Sequence, residues 1–141
     1  MKKEKITAVV AVRKGSQRVP NKNIKPFANS NLLEIKLNIL KKVNNIDEIV
    51  VNSDCDEMLA IGKKYNCLTH KREAYYSSSD VNNSEFHKHI AEVTNTEIIF
   101  LAPTCSPFVT VETHYNAINQ FMKNDCDSLT SVDVIKNQTQ C

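Results

Sequence analysis

An apolar run, Ile6 to Val12, opens directly into a basic loop, Arg13 to Asn23, and this junction constrains the chain more than any other stretch. Seven residues dominated by Val, Ile and Ala, with charge on either side, read as a strand buried in a sheet. The loop carries Arg13, Lys14, Arg18 and Lys22, and no acid occurs from Arg13 to Leu33. It also holds Gly15, one of only two glycines in the chain. Such a loop suits a polyphosphate: backbone N–H groups approach the anion where no side chain intervenes, and fixed cations neutralise its charge. It is not a Walker A loop, because no second glycine followed by Lys-Ser/Thr is present, and it is not G-x-G-x-x-G. Pro20 fixes φ and removes a donor, which stiffens the turn from which Lys22 projects. Spacing alone leaves two readings, a phosphate-holding loop and a solvated basic turn.

The remainder of the chain alternates helices and strands. Asn29-Ser30-Asn31 can cap a helix over 31–43, whose apolar positions Leu33, Leu37 and Leu40 recur at helical spacing. Residues 47–53 read as a second buried strand and 55–65 as a helix capped by Asp54. A third strand is expected at 67–69, then a polar loop over 71–84, then a helix over 85–94 capped by Ser84. A fourth strand is expected at 97–102, a loop at 103–107, a helix at 111–123 and a fifth strand at 128–134. This alternation predicts an α/β domain over residues 1–141 with a mostly parallel sheet and helices on both faces. Ligands of such sheets bind at the carboxyl ends of the strands. The segments 13–23, 71–84 and 102–108 each follow a predicted strand.

A formal charge of +2, from 18 basic and 16 acidic side chains, is too balanced to point to nucleic acid or a membrane surface as the main partner. No apolar run has the length of a transmembrane helix, and the run at Ile6 leads into charge rather than a cleavage site. The five cysteines, Cys55, Cys67, Cys105, Cys126 and Cys141, are odd in number and scattered. They read as reduced thiols, which places the expected location in the cytoplasm. The histidines, His70, His87, His89 and His114, show no metal spacing and read as surface groups. Asp54 and Asp56 read as helix-capping acids rather than metal ligands, and no metal-ligating residue is assigned.

The string Arg13-Lys14-Gly15-Ser16-Gln17-Arg18-Val19-Pro20-Asn21-Lys22-Asn23, directly after a first strand, resembles the signature loop of the CMP-N-acylneuraminate synthetases, the acylneuraminate cytidylyltransferases. Val19-Pro20-Asn21-Lys22-Asn23 matches the (hydrophobic)-Pro-x-Lys-Asn end of that signature. The resemblance implies a three-layer, Rossmann-like nucleotidyltransferase fold. It implies transfer of CMP from CTP to the anomeric hydroxyl of a sialic-acid-like sugar, with release of pyrophosphate. Lys22 and Arg13 then match catalytic and triphosphate-holding positions, with Ser16, Arg18 and Asn23 as further nucleotide contacts. Arg72 to Ser84 resembles the family's cytosine-reading stretch, which makes Arg72, Asn82, Asn83 and Ser84 nucleotide-binding candidates; Glu73 stands where the family usually has Pro. Pro103 to Phe108 resembles a sugar-contacting stretch, which makes Thr104 and Ser106 substrate-binding candidates, with Cys105 inserted between them.

By the same resemblance the partners are CTP and a nonulosonic sugar acid, Mg2+ is the expected cofactor, and the family works as a homodimer. Family domains continue past the length of this chain. The chain is therefore expected to be truncated on its C-terminal side, without the dimer arm or the aspartates that match the family's metal ligands. Two other functions stay open: a CTP-binding module without catalysis, and a cytidylyltransferase for another sugar acid, such as Kdo, legionaminic or pseudaminic acid.

Overall fold

A computed structural model describes residues 4–13, 30–78, 80–104 and 108–130. Its centre is β1 (Ile6–Val12), in which every residue except Ala11 is buried. It pairs in parallel with β2 (Glu48–Ser53) on one side and β4 (Ile98–Leu101) on the other. β3 (Leu68–Lys71) adds in parallel to the far edge of β2, so the sheet order is β3-β2-β1-β4. The sheet of the described residues is thus wholly parallel, and the near-continuous apolar character of β1 follows from its position inside it.

Helices cover both faces. Ala8, Val10 and Val12 point to one face, where α1 (Leu32–Lys41) contributes Leu33, Leu37 and Leu40 and α2 (Asp56–Lys64) contributes Met58 and Leu59. A smaller cluster of Ile6, Val43 and Ile118 joins α5 (Val111–Lys123) to the same layer, with Phe100 beside it. On the opposite face α4 (Asn83–Glu92) brings His89 to Asn52, a residue in register with Ala11. The short helix α3 (Ala74–Ser77) lies within the stretch read from sequence as a loop.

The helix ends follow local chemistry. Asn31 caps α1 by accepting from the Glu34 N–H at 2.8 Å. α2 ends in a Schellman motif: Cys67 N–H donates to Gly62 O at 2.9 Å and Asn66 N–H to Lys63 O at 3.0 Å, with Asn66 at φ 59°. α4 starts earlier than expected because Asn82, not Ser84, is its cap. The Asn82 side chain accepts from Glu85 N–H while Glu85 accepts from Asn82 N–H, which satisfies two otherwise orphaned donors. The residue capping α2 is Cys55 rather than Asp54, and it makes no side-chain cap bond. Residues 128–130 of the expected fifth strand have no regular structure, and 131–134 lie outside the described residues.

Gly62 is where α2 meets the sheet. A Cβ there would come within 2.8 Å of Val51 Cγ2, a stiff branched side chain in the core. Gly62→Ala is expected to destabilise the protein by about 1–3 kcal/mol through overpacking, despite the better helix propensity of Ala. A lowered urea midpoint would check this.

Candidate active site at the carboxyl edge of the sheet

The chain leaves β1 for β2 on one side and reaches β4 on the other. The carboxyl ends of β1 and β4 therefore flank the point at which the strand order reverses. Open parallel sheets place their ligands at such a crevice. Arg13 follows β1, Arg72 follows β3, and Ala102 and Thr104 follow β4. Of the loop residues, Arg13 alone falls in the described part: Ser16, Arg18, Lys22 and Asn23 lie outside the described residues, as does Ser106.

Arg13 donates from Nη1 to the Ser77 carbonyl at 3.1 Å and so ties the exit of β1 to α3. Arg72 is 5% exposed. Its Nε donates to Asn52 Oδ1 at 2.6 Å, and its Nη2 to the carbonyls of Asn52 at 2.8 Å and Val12 at 3.1 Å. Its backbone N–H donates to Ser53 O at 2.7 Å, and its guanidinium lies 5.1 Å from the centroid of the Phe86 ring. One side chain thus joins the exits of β1 and β2 to α4, and a guanidinium is suited to this because it presents five donors in a rigid fork. Burial brings the Arg72 pKa down to about 10, opposed by Asp54 and reinforced by Arg13. Arg72 therefore stays charged at neutral pH.

The remaining candidates are dispersed around this centre. Asn83 and Ser84 are exposed in the first turn of α4, beside the Asn82 cap, and Phe86 brings that end of the helix next to Arg72. Thr104 is buried at the end of β4. Among the described residues no three His, Cys, Asp or Glu side chains converge to hold a metal ion. No helix among them is long and apolar enough to cross a membrane. A groove of about 390 Å3 lies at the other end of the sheet, lined by Leu40, Asp47, Glu48 and Leu68. It adjoins the amino ends of β2 and β3, away from Arg13 and Arg72, and its charged lining is Lys41, Asp47 and Glu48.

Two histidines are not the surface groups that the sequence suggested; His87 is exposed, but His89 and His114 are buried. His89 stacks on Tyr76 with ring centroids 4.1 Å apart and accepts from Asn52. His114 donates from Nδ1 to Thr110 O at 2.7 Å, which leaves Nε2 to accept from the buried Lys36 ammonium at 3.4 Å. Desolvation is the first cause that lowers both pKa values below 6.5, joined by His70 and Arg72 at His89 and by Lys36 at His114. Below about pH 6.5 the unfolded chain takes up protons that the folded chain resists. Stability present above that pH is then lost as pH falls toward the lowered folded values. Urea unfolding at several pH values is expected to show this decline, and His89→Gln should make it shallower.

A family model for cytidylyltransferases matches residues 7–141. The chain belongs to the cytidylyltransferase family. This family member is similar in fold to CMP:2-keto-3-deoxy-manno-octonic acid synthetase complexed with CTP, at 12% identity and TM-score 0.73, covering 85% of this chain and 48% of that one. It is also similar to a cytidylyltransferase from Leptospira borgpetersenii, at 22% identity and TM-score 0.70, covering 87% of this chain and 51% of that one. A third similar structure is a Mycobacterium tuberculosis protein in complex with manganese, at 16% identity and TM-score 0.55, covering 82% of this chain and 58% of that one. These likenesses show the fold. The cytidylyltransferase-family chain spans about half the length of the first two structures. Among curated proteins, none matches it.

Proposed function

We propose that the chain carries the CTP-binding part of a nucleotidyltransferase that moves CMP from CTP to the anomeric hydroxyl of a sialic-acid-like sugar. The observation that carries this reading is the basic sequence 13–23 that follows the central strand, whose carboxyl end lies beside the reversal of strand order, in a chain of the cytidylyltransferase family. The hydroxyl oxygen attacks the α-phosphorus and gives up its proton, the bond from the α-phosphorus to the α,β-bridging oxygen breaks, and pyrophosphate leaves with that oxygen and its charge. Catalysis of this kind is mostly positioning and charge neutralisation. Arg13 and Lys22 are assigned to the phosphates, with Ser16, Arg18 and Asn23 beside them. Arg72, Asn82, Asn83 and Ser84 are assigned to the nucleotide end, and Thr104 and Ser106 to the sugar. The resemblance of the loop supports Mg2+ as the accompanying ion, and the manganese complex of one structural neighbour is in keeping with a divalent metal.

A second reading, transfer to another sugar acid such as Kdo, is favoured by the name of the structural neighbour that holds CTP. The readings separate in one assay series. CTP is first titrated against UTP, ATP and GTP, and pyrophosphate release is then followed with CTP and each of several sugar acids. The sialic-acid reading expects preferential CTP binding by the chain, little or no release by the chain alone, and release with N-acylneuraminate by the complete enzyme, in which the acceptors are compared. Release only with Kdo would replace it by the second reading. CTP binding without release on any acceptor would leave a binding module, and equal binding of all four nucleotides would remove the cytosine-reading role.

A further inference from the structure

Asn52 stands between a buried cation and a buried imidazole, and this fixes the orientation of each. Arg72 can only donate, so the Asn52 oxygen must face its Nε, at 2.6 Å. The amide nitrogen then faces His89 Nε2, at 3.5 Å, which must accept. His89 is therefore neutral with its proton on Nδ1. Arg72 in turn holds the Val12 carbonyl at 3.1 Å, one residue before Arg13 and the basic loop.

We infer that His89 and Asn52 are positioning residues for the nucleotide end of the sheet, and that protonation of His89 weakens the bond from Arg72 Nε to the Asn52 side chain and with it CTP binding. A proton on His89 Nε2 turns its acceptor into a donor. The Asn52 amide then either loses His89 or rotates, and rotation sets its NH2 group against the guanidinium of Arg72. Rotation costs Arg72 its bond to the Asn52 side chain while its bonds to the Val12 and Asn52 carbonyls stay, and loss of His89 removes the partner that holds the Asn52 amide in place for Arg72. The groups that bear on His89 are His70 from β3, Arg72 and Glu73 after it, the Tyr76 ring from α3, and Glu92 and Phe86 from its own helix. His70 and Arg72 oppose the proton, while Glu73 and Glu92 favour it. The link to CTP rests on the function proposed above.

The test follows the Arg72 Nε–H and the His89 ring by NMR in the 141-residue chain without nucleotide, from about pH 8 to about pH 5.5. The Arg72 signal should move with the His89 midpoint, below 6.5, and stay flat in His89→Gln, which keeps an acceptor that does not titrate. An Arg72 signal that is unmoved through the His89 titration in the wild-type protein overturns the relay, and this arm needs no variant to fold. In parallel, CTP affinity should fall about tenfold more in the wild type than in His89→Gln over the same range, the loss of one bond to a charged group. Comparison of the two proteins cancels the titration of CTP itself. An equal fall in both overturns the link to nucleotide binding. Absence of CTP binding at every pH overturns the proposed function instead, while the NMR arm still decides the relay.

Discussion

On the function proposed above, Lys22→Ala in the complete enzyme is expected to lower cytidylyl transfer by about 100- to 1000-fold, far more than it weakens CTP binding. Lys22 follows Pro20 by two residues, in the basic stretch that follows β1 in the sequence, and it lies outside the described residues. An ammonium held there is most useful when charge builds on the departing pyrophosphate, because stabilisation realised only in the transition state raises turnover. Arg13→Ala is expected to act more evenly on affinity and turnover, since on the proposed function ground-state CTP already carries the charge assigned to Arg13. Steady-state kinetics beside direct CTP titration separate the two. Normal turnover in Lys22→Ala, or a loss of affinity alone, would make the loop a phosphate holder and nothing more.

Arg72→Ala is expected to destabilise the fold by about 3–5 kcal/mol and to abolish CTP binding with it. The substitution strips the Val12 and Asn52 carbonyls and the Asn52 side chain of a charged donor in a buried setting. Buried acceptors left without partners cost far more than the net value of the bonds they made. Arg72→Lys should recover little, because one ammonium cannot span three acceptors set out for a fork. Denaturant unfolding of both variants checks this. A change below about 1 kcal/mol in Arg72→Ala would show that the network is replaceable by water.

Arg72 also shows what sequence reasoning reaches and where it stops. Its placement after the third strand was legible from the alternation of apolar runs, as were β1, β2 and β4, because long apolar periodicity dominates in parallel sheets. Its bonds were not, because they depend on Asn52, a polar residue in the run Ile49-Val50-Val51-Asn52-Ser53 whose partner lies in a later helix. A polar residue inside a buried strand was the available signal. Lys36 offered another: it shares a helical face with Leu33, Leu37 and Leu40, so a charge stood in a core position. His114, one turn before the buried Ile118, completes that pair from a segment with no sequence cue to α1. The early start of α4 differs from the sequence reading because an Asn-Asn-Ser run offers several caps, and the Glu three residues after Asn82 decides among them.

The most direct test of a nucleotide site at the carboxyl edge is an amide chemical-shift map of the chain titrated with CTP. The expected result is a saturable set of shifts at Arg13, Arg72, Asn82 to Ser84 and Thr104, lost in Arg13→Ala and weaker with UTP. Shifts centred instead on Leu40, Asp47, Glu48 and Leu68 at the opposite end of the sheet, or no shifts at all, would contradict it.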